Sequence, residues 1–171
     1  MIPRTEVHEI EKKGWILLCG RRKVGKTCKR LHQTHYYFFV ERPGPILMES
    51  RGDLKSIGYE SFKTLIYELL KNESYIIVVD EFQRLPDDFV DILHFAKEKR
   101  AKLALLGSNM RTVRSIFSAR SPLLGLAKPV RLGLVRPSDM LQVFGNVEEF
   151  VFLRNPWLVQ FYDGDSRDAV K

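Results

Sequence analysis

Eight consecutive residues, Gly20-Arg21-Arg22-Lys23-Val24-Gly25-Lys26-Thr27, restrict this chain more than any other stretch. Their pattern is Gly, four free positions, then Gly-Lys-Thr. The glycines let the backbone wrap so that successive N–H groups converge on one anion. Lys26 brings a positive charge to the outer phosphates of a nucleotide, and the Thr27 hydroxyl can ligate Mg2+. Residues 15–19 before the loop form a continuous apolar run, which suits a buried parallel strand. Residues 27–33 after it lack Gly and Pro and suit a helix, whose N-terminus favours anions. Strand, loop and helix are the context such a loop requires. The alternative is a glycine-containing turn that binds nothing. Gly20, Arg21, Arg22, Lys23, Val24, Gly25, Lys26, Thr27 and Cys28 are therefore the expected nucleotide-contacting set.

A second signal lies downstream. Residues 75–79 are an apolar, mostly β-branched run, and Asp80 and Glu81 follow it directly. A central strand here delivers both carboxylates at its carboxyl end, where open α/β sheets bind their ligands. Asp80 is then the expected holder of Mg2+, through a water. Glu81 points elsewhere because side chains alternate along a strand, and it is suited to polarising an attacking water. The competing reading makes the pair N-terminal caps of a helix starting near residue 82. Ser108 and Asn109 end the next apolar strand. A polar side chain there can touch the terminal phosphate or its attacking water, or it can cap the following helix.

The 171 residues are enough for one α/β domain with a sizeable core. No apolar run approaches the ~20 residues that cross a bilayer. The charged N-terminus lacks the apolar stretch of a secretory signal. Two cysteines, Cys19 and Cys28, flank the loop and fit reduced thiols in a cytoplasmic protein better than a disulfide framework. His8, His32, His35 and His94 are scattered and show no metal-ligand spacing. A net charge of +7 could steer DNA or RNA toward the protein. Much of that charge clusters at the loop itself, so a nucleic-acid partner is weakly supported.

Along the chain, residues 36–40 read as a second strand and residues 46–48 as a short extra one. Phe62, Leu65, Ile66, Leu69 and Leu70 mark the inner face of a helix over 61–71. Leu85-Pro86-Asp87-Asp88 looks like a helix start, and Phe89, Ile92, Leu93 and Ala96 form that helix's apolar stripe. Further strands are expected at 101–106 and 129–134, with a helix at 111–117 between them. Five main strands alternating with helices predict an α/β fold with a mostly parallel sheet and right-handed crossovers. A core domain is expected over 1–145, and 146–171 as a C-terminal extension, either a lid remnant or a frayed tail.

These pieces together resemble the archaeal ATPases of the STAND/AAA-like P-loop class. The resemblance is carried by the Arg-rich loop at 20–27, by Asp80-Glu81-Phe82-Gln83, by Gly107-Ser108 and by Ser121-Pro122-Leu123-Leu124-Gly125. It spans about residues 14–145. The chain departs from many relatives at Leu126, where they carry arginine. The resemblance implies a three-layer P-loop NTPase fold (RecA/AAA-like, ASCE division) with five strands in the order 5-1-4-3-2. It also implies ATP with Mg2+, Glu81 as base, Ser108 as sensor and Lys26 as the catalytic cation. Thr27 and Asp80 are then the metal-binding residues.

The leading expectation is a Mg2+-dependent ATPase that acts as a switch or small motor. The alternative is a nucleotide-binding module with little hydrolysis that regulates docking to a protein or nucleic-acid partner. Self-association is compatible with both. A small-molecule kinase needs a lid and an acceptor pocket that the sequence does not offer.

Overall fold

The computed structural model describes residues 14–20, 34–96, 100–108 and 125–134. The loop residues Arg21 to Cys28, Asn109, the helix expected at 111–117 and the boundary expected near 145 lie outside the described residues.

The described residues build one sheet of seven strands. They are β1 (Trp15–Gly20), β2 (Tyr36–Val40), β3 (Ile46–Ser50), β4 (Asp53–Ile57), β5 (Ile76–Asp80), β6 (Lys102–Gly107) and β7 (Lys128–Leu132). The spatial order is β4-β3-β2-β5-β6-β1-β7. Strands β2, β5, β6, β1 and β7 pair in parallel, whereas β2–β3 and β3–β4 are antiparallel. The expectation of five strands in the order 5-1-4-3-2 is therefore corrected to seven, in an order extended beyond β2 by a hairpin. The hairpin turns at Arg51 and Gly52, both at positive φ (53° and 86°), as a two-residue turn matched to strand twist requires. Arginine is not a residue that announces such a turn, and β4 is nearly all exposed, so it has no apolar alternation to betray it.

Two helices cover one face. In α1 (Tyr59–Leu69), Phe62, Ile66 and Leu69 are buried at spacings of four and three. In α2 (Asp88–Phe95), Phe89 and Leu93 are buried at a spacing of four. Helix α2 begins at Asp88, within the expected start at 85–88, and Leu85, preceding Pro86, is extended (φ −70°, ψ 154°). The stretch before it, Phe82–Arg84, forms a short 3-10 turn instead. Phe38 of β2, Phe62 of α1 and Phe89 of α2 meet in series between sheet and helices, edge-to-face and then tilted, with centroids 5.0 and 5.6 Å apart.

Strand alternation sorts the rest. Leu17, Cys19, Phe38, Ile77, Val79, Leu103 and Leu105 join the helices in the larger core. Ile16, Leu18, Val78, Ala104, Leu106, Val130 and Leu132 form a second cluster on the opposite face. Strand β1 is buried at every residue, the signature of a central parallel strand with both faces covered. The Cys19 thiol faces the Val130 carbonyl at 3.6 Å, inside the protein. His35 uses its Nδ1 to accept from the Ile76 N–H at 3.2 Å, a local packing role. Among the described residues, no helix is long and apolar enough to cross a membrane.

Candidate nucleotide site

Parallel register brings three strand ends to one level. Leu106 of β6 pairs with Leu18 of β1 on one side and with Asp80 of β5 on the other. Gly20, the last residue of β1 and the first of the loop motif, therefore ends at the same edge as Asp80, Glu81 and Ser108. The separation in sequence between residues 20 and 108 is removed by β-pairing alone.

Asp80 is the one charged side chain among the buried residues described, at 4% exposure. It follows Val78 on the face of the second apolar cluster, where Tyr37 also packs. The Tyr37 hydroxyl donates to Asp80 Oδ2 at 2.8 Å, and the Glu81 N–H donates to Oδ1 at 2.8 Å. Among the described residues, no group of three or more His, Cys, Asp or Glu gathers to hold a metal. That donor set fits Mg2+, which keeps most of its waters and uses one or two protein oxygens with substrate phosphates.

Glu81 leaves the strand abruptly. Its backbone is left-handed (φ 56°, ψ 33°), at a cost of about 1–2 kcal/mol for a residue with a Cβ. No side chain caps the 3-10 turn that follows, so the N-cap reading of this pair does not describe Glu81. The turn instead swings the Glu81 carboxylate sideways over the end of β6. There Glu81 Oε2 accepts from Gln83 Nε2 at 2.7 Å and from the Ser108 hydroxyl at 3.0 Å. Arg84 Nη2 lies 3.2 Å from the same oxygen. Arg84 is itself fixed, because its Nη1 donates to the Val40 carbonyl at 2.7 Å and its guanidinium lies 5.8 Å from the Phe39 ring centre. Gln83 Nε2 also reaches Ser108 Oγ at 3.4 Å. Gln83 Oε1 is buried without a hydrogen-bond partner among the described residues. An orphaned acceptor of this kind costs about 1–3 kcal/mol unless a water or ligand hydrogen meets it.

Of the residues singled out from sequence, Gly20, Asp80, Glu81 and Ser108 converge here. Tyr37 and Arg84 belong to the same constellation and carried no role in the sequence reading, and neither did Gln83 beyond its place in a motif. The three-residue spacing of Glu81 and Arg84 on one turn was the available signal for Arg84. Tyr37 gave none, because its proximity to Asp80 depends on which strand lies beside β5.

An α/β sheet with a buried carboxylate and polar side chains at the carboxyl ends of adjacent parallel strands is compatible with the fold of a P-loop nucleotide-binding protein. Residues 12–125 match the AAA domain family model, which covers more than half of the chain. The chain belongs to the AAA domain family, whose members are nucleotide-binding, ATPase-like P-loop proteins. No curated protein shows significant similarity to it.

Proposed function

We propose that this protein is a Mg2+-dependent ATPase, of the STAND-like archaeal kind that its motifs resemble, working as a molecular switch or small motor. The observation that carries the reading is the 3.0 Å hydrogen bond from Ser108 to Glu81, directly after the buried Asp80. In this reading the core over 1–145 binds ATP in the loop at 20–27, with Cys28 beside it. Lys26 and the loop amides hold the phosphates, and Thr27 and Asp80 hold the metal, which supplies charge neutralisation on the phosphate oxygens. Glu81 polarises the attacking water. Ser108, Gln83 and Arg84 fix its carboxylate, so the water meets one oriented acceptor rather than a mobile one. The orphaned Gln83 Oε1 is suited to accept a hydrogen from that water.

A second reading rests on a different observation. Three donors already converge on Glu81 Oε2, which restrains this carboxylate in the conformation described. A module that binds ATP but hydrolyses it slowly, with nucleotide state controlling a partner, accounts for that restraint.

ATP binding and phosphate release in four proteins separate the readings. Lys26→Ala should lose binding. Glu81→Gln should keep binding and lose hydrolysis, and unchanged hydrolysis in that variant would remove Glu81 from its role. Arg84→Ala decides the rest: a fall in turnover relative to wild type supports a positioning role for Arg84, whereas a rise supports the restrained module.

A further inference from the structure

The two edges of the sheet are built differently. At one edge, β7 carries Pro129, which has no N–H to offer another strand. At the other, β4 pairs only with β3 among the described residues, contains no proline and leaves four of its five residues exposed. Leu54, at 68% exposure, stands out from it as an apolar side chain in solvent.

The hairpin fixes which backbone groups face outward. Ser50 pairs with Asp53 across the two-residue turn, so these two exchange hydrogen bonds. Alternation then directs the N–H and C=O groups of Asp53, Lys55 and Ile57 to β3. Those of Leu54 and Ser56 point away from the sheet. Any strand added at this edge must match that alternation.

A second copy of β4, running antiparallel about a two-fold axis, can match it in only a few registers. An axis at Asp53 sets two aspartates face to face, and an axis at Lys55 sets two lysines face to face. Both are like-charge pairs directly opposite, which are destabilising. An axis at Ser56 leaves Lys55 opposite Ile57. With the axis at Leu54, Leu54 meets its own copy, and Asp53 meets Lys55 twice. The outward groups of Leu54 then form a reciprocal hydrogen-bonded pair across the axis. We propose that β4 is a homodimerisation edge, through which two copies of this chain join into one continuous sheet centred on Leu54. The inference is independent of nucleotide chemistry. Lys55 on its own blunts the edge toward unrelated strands. Opposite Asp53 it selects this register. A single strand pair is a small interface, so association is weak and concentration-dependent.

Sedimentation equilibrium of the full chain without nucleotide tests it, with far-UV circular dichroism to check folding. Wild type should show a monomer–dimer equilibrium. Asp53→Lys and Lys55→Asp, each creating like-charge pairs in the Leu54 register, should weaken dimerisation about tenfold or more. The double variant Asp53→Lys/Lys55→Asp should recover it. Leu54→Pro removes the outward N–H and should abolish the dimer. Leu54→Lys, which keeps the backbone donor, should also weaken it. A wild type monomeric up to about 0.5 mM overturns the proposal. So does a dimer untouched by both Leu54 variants, or a double variant no better than the singles.

Discussion

Two polar clusters invite comparison. One is Glu81, Gln83, Arg84 and Ser108 at the carboxyl ends of β5 and β6. The other is Tyr59, Glu60, Lys63 and Asp88 on the flank where α1 meets α2. Both are dense in short contacts. On the flank the Tyr59 hydroxyl donates to Asp88 at 2.6 Å, and Lys63 reaches Glu60 at 2.8 Å and Asp88 at 3.3 Å. That second cluster has both carboxylates, Glu60 and Asp88, exposed to solvent, stands on ordinary helical backbone, and leaves Lys63 shared between them. The first is partly buried, rests on a left-handed Glu81 and contains an acceptor with no partner among the described residues. Contact number does not separate a site from a surface. Burial, backbone strain and unsatisfied capacity do, because each carries a free-energy cost that an ordinary surface has no reason to bear.

Paired substitutions put that contrast at risk. The largest difference is expected in turnover: Glu81→Gln should lower ATP hydrolysis by about 10²–10⁴-fold. Asp88→Asn, changed in the same chemical way on the flank, should leave it within about twofold of wild type. A large loss in Asp88→Asn, measured by phosphate release, would dissolve the distinction. Next comes stability. Phe62 lies beneath the flank cluster, with Tyr59 stacked on it at 6.3 Å, and is fully buried. Phe62→Ala should cost about 3–5 kcal/mol in urea unfolding, through the cavity it leaves. Tyr59→Phe should cost much less, showing that the core beneath the exposed cluster holds this flank together.

Ser108→Ala is a finer probe. Removing the hydroxyl frees the Glu81 carboxylate on one side, and kcat should fall about tenfold while ATP binding is kept. The smallest effect concerns acid. The hydrogen bond from Tyr59 and, after it, the contact with Lys63 hold the Asp88 carboxyl below its ordinary value in the folded state. A depressed folded pKa contributes stability that is complete above the unfolded pKa and is lost as pH falls through the folded one. Wild type should therefore lose slightly more Tm than Asp88→Asn between about pH 5 and pH 3. Equal acid limbs for the two proteins would remove this linkage.

Much of the site was legible because its signals are local. The apolar run of β5 ending in Asp80-Glu81, and Gly107-Ser108 at the end of β6, are contiguous patterns with direct physical meanings. Strand and helix positions on the parallel side follow from apolar runs and from Phe62, Ile66 and Leu69 at helical spacing. The hairpin was half hidden: residues 46–48 read as a strand, but β4 did not, since an exposed edge strand needs no apolar pattern. The start of α2 falls within the expected segment 85–88, at Asp88, with Leu85 held extended before Pro86. Arg84 was present in the sequence with no reason to be chosen until its guanidinium was seen bridging Glu81 and the Val40 carbonyl.

What the sequence by itself determined is the chemistry on offer: a Gly-Lys-Thr loop motif, a strand ending in two carboxylates and a serine at the end of another strand. These are properties of short segments, governed by sterics and hydrophobic periodicity. Only the tertiary structure decided which of these groups meet. Parallel pairing of β5, β6 and β1 sets Asp80, Ser108 and Gly20 at one edge. The left-handed turn at Glu81 then carries its carboxylate onto Ser108. Both depend on strand order and on one strained backbone angle, and neither quantity is written in any single segment.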